Sequence, residues 1–131
     1  MNSVPTILLI DDDPDFIEAT CTVLESAPYE VWVAYSGAEG LTRAREARPD
    51  LIILDVIMPG EDGFRILERL RADPVLAKVP VMMLTSLPNG LSLASGGGAN
   101  TAVEDYVDKP IRPAELLRRV EKLLAKHNTQ Q

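Results

Sequence analysis

Short apolar runs alternate along the chain with longer stretches in which apolar residues recur at helical spacing. Ile7 to Ile10 and Leu51 to Leu54 are apolar at every position, which is typical of strands buried on both faces of a sheet. Both runs are too short for a helix, and each ends abruptly on a carboxylate. The pattern predicts five strands: Thr6–Ile10, Glu30–Tyr35, Leu51–Leu54, Val79–Leu84 and Asp105–Asp108.

The stretches between these runs predict amphipathic helices. Asp13 followed by Pro14 is typical of an N-cap and a first helical position, and Ser36 opens a second helix in the same way. The apolar stripe of the first helix consists of Phe16, Ile17, Thr20, Cys21 and Leu24. Apolar residues three and four apart predict a third helix around Leu67 and a last helix around Val120. Strands that alternate with helices indicate an α/β fold, a doubly wound parallel sheet with helices on both faces and right-handed crossovers.

Length and composition indicate one domain. The 131 residues include 46% apolar and 25% charged residues, which is an ordinary globular composition. We assign residues 4–127 to the domain and residues 128–131 to a polar C-terminal tail.

Charge and residue usage exclude several classes of function. The 13 Lys and Arg against 20 Asp and Glu give a net charge of −7, and no basic run offers a footprint for nucleic acid, so we expect no direct nucleic-acid binding. One cysteine and one histidine permit no intrachain disulfide and disfavour a zinc site or a Cys-His nucleophile. The apolar runs are too short for a membrane span or a signal segment, so we expect no membrane association and a cytoplasmic location.

Polar residues that suit phosphate chemistry follow four of the predicted strands. Asp11 and Asp12 come after the first strand, Asp55 after the third, Thr85 after the fourth and Lys109 after the fifth. In parallel α/β sheets, ligands bind beyond the carboxyl ends of the strands, where the strand order reverses. We therefore expect these side chains to converge on one patch.

Three carboxylates in one patch require a compensating charge. Two unit charges about 4 Å apart interact by roughly 4 kcal/mol at an effective dielectric constant near 20. Mg²⁺ prefers oxygen ligands, binds through one or two carboxylates and a phosphate, and keeps several waters. A metal, a lysine and a hydroxyl around a carboxylate stabilise a phosphoryl group in transfer, and the carboxylate itself can be the nucleophile.

In their order and strand-end placement, these residues resemble the response-regulator receiver family. The resemblance rests on the acidic pair, on Asp55 within Leu-Asp-Val-Ile-Met-Pro-Gly, on Thr85 after Met-Met-Leu, and on Lys109-Pro110. It covers nearly the whole chain. It implies a flavodoxin-like sheet with strand order 2-1-3-4-5 and a phosphoprotein of two-component phosphorelay signal transduction.

The resemblance also implies a metal site that takes Mg²⁺ or Mn²⁺. Asp12 is the direct metal ligand and Asp11 acts mainly through water. Asp55 and the backbone carbonyl of Ile57 complete the ligands that the protein supplies.

The remaining site residues follow from the same resemblance. Asp55 is the phosphoacceptor, Thr85 bonds a phosphoryl oxygen in the active state, and Lys109 pairs with the phosphate. Tyr106 matches the family's switch aromatic, which turns inward as the Thr85 hydroxyl moves towards the phosphate.

The sequence departs from the family between Thr85 and Tyr106. The family usually has an alanine-rich fourth helix there, whereas this chain has Pro88, Asn89-Gly90 and three consecutive glycines, Gly96 to Gly98. Each glycine costs roughly 1 kcal/mol in a helix interior. We therefore expect the fourth helix to be atypical or disordered.

The function implied is that of a switch rather than of an enzyme with bulk turnover. The expected donor is a histidine kinase or a histidine phosphotransfer protein, and the expected recipient is a downstream effector or an output domain outside this sequence. A homodimer that forms on phosphorylation is a further expected partner. The domain would catalyse only its own phosphotransfer and autodephosphorylation.

Two other readings of the residues stay open. A haloacid-dehalogenase-like phosphohydrolase also forms an aspartyl phosphate with Mg²⁺, and Asp11 to Asp13 has the required Asp-x-Asp spacing, although no cap domain fits in this length. An interaction module that works without phosphorylation is the second, and the intact set of acceptor, acidic pair, threonine and lysine disfavours it.

Overall fold

The computed structural model describes residues 4–58, 60–85 and 103–129. As far as residue 85, its five-residue strands alternate with helices as the sequence predicts. The strands are β1 (Thr6–Ile10), β2 (Glu30–Ala34), β3 (Leu51–Asp55), β4 (Ile57–Met58), β5 (Glu61–Asp62), β6 (Val81–Thr85) and β7 (Asp105–Asp108). The helices are α1 (Pro14–Glu25), α2 (Gly37–Ala47), α3 (Gly63–Ala72) and α4 (Pro113–Thr129).

Five of the strands form one parallel sheet in the order β2-β1-β3-β6-β7. Numbered among themselves, these five have the order 2-1-3-4-5, which confirms the predicted topology. Ile10 at the end of β1 is in register with Ala34 on one side and Leu54 on the other. The strand order reverses at β1 and β3, so the residues after Ile10 and Leu54 lie at the switch point where such folds bind ligands.

The core has two layers because the sheet is buried on both faces. Alternate residues of β1 point to opposite faces: Leu8 and Ile10 pack with α2 and α3, and Ile7 and Leu9 pack with α1 and α4. All four of these side chains are fully buried. Burial on both faces of the sheet explains why the runs in the sequence are apolar at every position.

Local capping chemistry begins the helices where the sequence predicts. The Asp13 carboxylate accepts hydrogen bonds from the amides of Asp15 and Phe16 at the start of α1, and Ser36 caps α2 through the amide of Glu39. Asp62 caps α3 in the same way.

Several boundaries differ from the prediction. The fourth strand of the main sheet begins at Val81 rather than Val79, because the Val79 amide bonds back to the Leu76 carbonyl in a turn. The second strand ends one residue early, where the Tyr35 amide donates to the Glu39 carboxylate.

Other differences concern whole elements. The two-residue strands β4 and β5, which pair antiparallel just after β3, were not predicted. The final helix continues to Thr129, into the segment assigned to the tail. The expected atypical fourth helix lies outside the described residues. Among the described helices, none has the length and apolar character needed to cross a membrane.

Candidate functional site

Three carboxylates meet at the carboxyl ends of β1 and β3. Asp11, Asp12 and Asp55 each contribute an oxygen, and these oxygens lie within 4.8 Å of one another. Asp11 is 1% exposed and Asp55 is 6% exposed, whereas Asp12 is half-buried. The structure thus brings together the three carboxylates that the sequence predicted as one cluster.

Backbone contacts fix the direction of the Asp11 side chain. The Asp11 amide donates to the carbonyl of Ala34 on the neighbouring strand, at 3.1 Å. Its Oδ1 accepts a hydrogen bond of 2.9 Å from the amide of Asp13, which leaves Oδ2 for other partners. The residue that caps α1 therefore also orients the first carboxylate of the cluster.

Lys109 brings a positive charge to this cluster from the last strand of the sheet. Its Nζ lies 2.9 Å from Oδ2 of Asp11 and 3.6 Å from Oδ2 of Asp55, and its side chain is 16% exposed. Its amide donates to the carbonyl of Thr85 at 2.6 Å, which anchors it to the end of β6. The Lys109-Pro110 peptide bond is cis.

The backbone around Asp55 is held on two sides. The Val56 amide donates to the Leu84 carbonyl, and the Val56 carbonyl accepts from the Gly63 amide, both at 2.8 Å. A Cβ on Gly63 would lie 2.6 Å from the Asp55 carbonyl oxygen and 2.8 Å from Val56 Cα. Only a glycine allows α3 to begin this close to the strand that ends on Asp55.

Thr85 and Tyr106 sit on neighbouring strands beside the carboxylates. Thr85 ends β6 and is 3% exposed. Tyr106 is half-buried, in register with Met83, and its ring centroid lies 6.5 Å from that of Phe64 on α3. Burial raises the pKa of the Tyr106 hydroxyl above its usual value. Ile57 lies two residues past Asp55 and pairs with Asp62.

One contact at the site was missed by sequence reasoning. Phe16, assigned to the apolar stripe of α1, places its ring centroid 4.1 Å from Nζ of Lys109. Nothing in the local sequence indicates this contact, because the two residues lie far apart in the sequence. They meet only through the packing of α1 beside the end of β7.

The donor set fits a divalent hard cation. All three acidic side chains offer oxygen ligands, and three carboxylates against one ammonium leave the cluster with a formal excess of negative charge. Mg²⁺ is bound by such oxygen donors together with water and substrate phosphate. The half-buried position of Asp12 leaves one side of the cluster open to solvent.

Comparisons with known proteins agree on one family. The family model of the response regulator receiver domain matches residues 7–121. The chain is 41% identical over 121 residues to the DNA-binding dual master transcriptional regulator RpaA of Synechocystis sp., a match that covers 92% of this chain and 49% of RpaA. The chain therefore spans about half the length of this relative.

Solved structures show the same likeness. A putative response regulator from Chloroflexus aurantiacus superimposes with a TM-score of 0.83 at 37% identity, covering 93% of this chain and 98% of that one. The receiver domain of sensor histidine kinase PA1611 from Pseudomonas aeruginosa has a TM-score of 0.82 at 28% identity, with 93% and 98% coverage. That structure holds a magnesium ion coordinated in its active site cleft.

Proposed function

The chain belongs to the family of response regulator receiver domains, and we propose that Asp55 is the residue that accepts the phosphoryl group of its two-component system. A carboxylate oxygen of Asp55 attacks phosphorus, the phosphorus–nitrogen bond of a phosphohistidine donor breaks, and the leaving imidazole takes up a proton. The product is an aspartyl phosphate.

A single observation carries this assignment. The Lys109 ammonium bridges Asp11 and Asp55, with oxygens of both carboxylates within 3.6 Å. A cation held beside the acceptor oxygen can pair with the charge that the phosphoryl group brings, which a lone surface carboxylate lacks. Asp55 is also buried at the end of β3, where the backbone of Val56 and Gly63 fixes its position.

The neighbouring carboxylates suit the family's metal. Asp11, Asp12, Asp55 and the backbone carbonyl of Ile57 would hold Mg²⁺ or Mn²⁺, with Asp12 as the direct ligand and Asp11 acting mainly through water. When bound, the ion neutralises phosphoryl oxygens during transfer. The mutual approach of three carboxylate oxygens within 4.8 Å supports the assignment, as does the magnesium ion in the Pseudomonas aeruginosa receiver.

The residues proposed for the switch are Thr85 and Tyr106. The Thr85 hydroxyl would donate to a phosphoryl oxygen, and Tyr106 would turn inward as it does so. Support comes from the position of Thr85 at the end of β6, next to the strand of Asp55, and from the half-buried ring of Tyr106 one strand further. This movement would change the surface around β7 and α4 that a partner reads.

The partners follow from the reaction. The donor would be a histidine kinase or a histidine phosphotransfer protein, and the recipient of the signal an effector protein, an attached output domain or a second copy of the chain. We propose no direct contact of this domain with nucleic acid, on the basis of its net charge of −7. RpaA is a DNA-binding regulator, and its match to this chain covers 49% of its length.

The alternative functions are not favoured. The receiver family match over residues 7–121 disfavours a haloacid-dehalogenase-like phosphohydrolase. An interaction module without phosphorylation would not need Asp11, Asp55 and Lys109 to converge at the end of the sheet.

Trapping of the acyl phosphate tests the assignment to Asp55. The protein is incubated with phosphoramidate and Mg²⁺, reduced with borohydride, digested and sequenced by mass spectrometry. We expect homoserine at position 55, because borohydride reduces an acyl phosphate to the alcohol. Homoserine at Asp11 or Asp12 in place of Asp55 would contradict the assignment, as would rapid release of phosphate from small phosphate esters.

A further inference from the structure

We propose that Phe16 is a positioning residue for phosphotransfer: its ring face holds the Lys109 ammonium beside Asp55. This inference rests on the proposed function of Asp55 and Lys109 and extends it to a residue of the apolar stripe of α1. Nζ of Lys109 lies 4.1 Å from the ring centroid, within the range of a cation–π contact.

Two carboxylates and one aromatic ring of the described residues lie near the ammonium, and the ring is the uncharged group among them. Asp11 accepts a hydrogen bond of 2.9 Å from Nζ, whereas the nearest Asp55 oxygen, at 3.6 Å, lies beyond a good hydrogen bond. The ring of Phe16 lies against the same ammonium. With the side chain only 16% exposed, water supplies little of the remaining solvation of this charge.

A neutral ring suits this place better than a further carboxylate. A carboxylate would attract the ammonium as well, but it would also repel the phosphoryl group that arrives at Asp55, in a site already crowded with negative charge. The negative face of an aromatic ring attracts the cation without adding net charge. Phe16 therefore keeps the ammonium at the site while leaving its charge available to the phosphoryl oxygens.

The fold holds the ring in this position from the other side of the cluster. Phe16 lies in the first turn of α1, which begins two residues after Asp12, and its amide donates to the Asp13 cap. The ring also borders an apolar groove of about 420 Å³ together with Ile111 and Leu116. Because the groove leaves room around the ring, we expect proteins substituted at Phe16 to fold.

A substitution series at this position separates the ring's electrostatic role from its bulk. Phe16→Leu keeps an apolar side chain without a π face, and phenylalanines carrying one, two and three ring fluorines weaken the face at nearly constant size. The rate constant of phosphorylation by phosphoramidate with Mg²⁺ is measured for each. We expect about a fivefold loss in Phe16→Leu, a graded loss across the fluorinated rings, and recovery in Phe16→Trp.

Controls keep the outcomes distinct. Tyr29→Leu removes another aromatic that packs on the same core layer, and we expect its rate to match that of the wild type. A rate that ignores ring fluorination, or that Tyr29→Leu lowers equally, would overturn the role of Phe16 while the function of Asp55 stands. A wild-type protein that takes up no phosphoryl group would overturn both the role of Phe16 and the function of Asp55. In that case, a ring-current shift of the Lys109 side-chain protons would show only that the ring contacts the lysine.

Discussion

Lys109 and Asp11 form an ion pair across 98 residues of sequence, with Nζ 2.9 Å from a carboxylate oxygen that is almost completely buried. The pair joins the end of the last strand of the sheet to the end of the first strand of the chain. It fixes a positive charge within 3.6 Å of Asp55. The same ammonium balances the carboxylates and faces Asp55, so this ion pair links the stability of the domain to its proposed chemistry.

Removal of the Lys109 charge is expected to destabilise the protein without Mg²⁺. In Lys109→Met the buried Asp11 carboxylate loses its partner, and breaking such a pair costs about 3 kcal/mol of unfolding free energy. Urea denaturation in the presence of EDTA measures this. The double variant Lys109→Met with Asp11→Asn should recover part of the loss, and equal destabilisation of the single and double variants would contradict the pairing.

Mg²⁺ is expected to stabilise the folded domain through the carboxylate cluster. A ligand at ten times its dissociation constant stabilises the native state by about 1.4 kcal/mol if the unfolded chain does not bind it. Thermal unfolding in a Mg²⁺ titration should therefore show a rising midpoint for the wild type and a much smaller rise for Asp12→Asn. Glu18→Gln, which changes an exposed carboxylate of α1, serves as the matched control. A rise in Asp12→Asn as large as in the wild type would contradict the site.

Gly63→Ala is expected to disturb both stability and phosphorylation. The added Cβ would lie 2.6 Å from the Asp55 carbonyl oxygen and 2.7 Å from that of Val56, and backbone atoms cannot rotate away. We expect a loss of about 2 kcal/mol, typical of overpacking, with slower phosphorylation. Gly40→Ala is the comparison, because the three atoms nearest its Cβ all belong to the side chain of Ile10 rather than to the backbone. A larger loss of unfolding free energy in Gly40→Ala would contradict the steric account.

Ionisation of Tyr106 is expected to weaken the fold in alkaline solution. Burial raises the pKa of Tyr106 in the folded state above 10.0, the ordinary value that holds in the unfolded chain. At a pH between the unfolded and the folded pKa, the unfolded chain therefore binds fewer protons than the native protein. The contribution to stability is therefore complete below pH 10 and is lost as the pH rises through the folded pKa. Urea denaturation from pH 9 to pH 11, about the ordinary tyrosine pKa, should show a shallower decline in Tyr106→Phe. If the unfolding free energy declines with pH as steeply in Tyr106→Phe as in the wild type, Tyr106 contributes nothing to that decline.

Much of the fold could be predicted from sequence because its signals are local. The run from Ile7 to Ile10 is apolar at every position since both faces of β1 are buried, and the carboxylates that end β1 and β3 mark the switch point of the sheet. Asp13 and Ser36 begin α1 and α2 through contacts within three residues.

The rest depends on contacts between distant segments. Phe16 reads as a core residue of α1, and only the packing of α1 beside the end of β7 brings its ring to Lys109. The need for glycine at position 63 follows only from the approach of α3 to the Asp55 backbone. The pair of two-residue strands after Asp55 is too short to leave a periodic pattern.

The proposed function requires that Asp55 accept a phosphoryl group in this site. Intact-mass spectrometry after incubation with phosphoramidate and Mg²⁺ measures this, with the wild type beside Asp55→Asn and the control Asp13→Asn. The control changes the side chain that caps α1 and keeps the Asp13 amide that donates to Asp11. We expect a gain of one phosphoryl group in the wild type and in Asp13→Asn, and none in Asp55→Asn. An unmodified wild type, or an adduct that persists in Asp55→Asn, would contradict it.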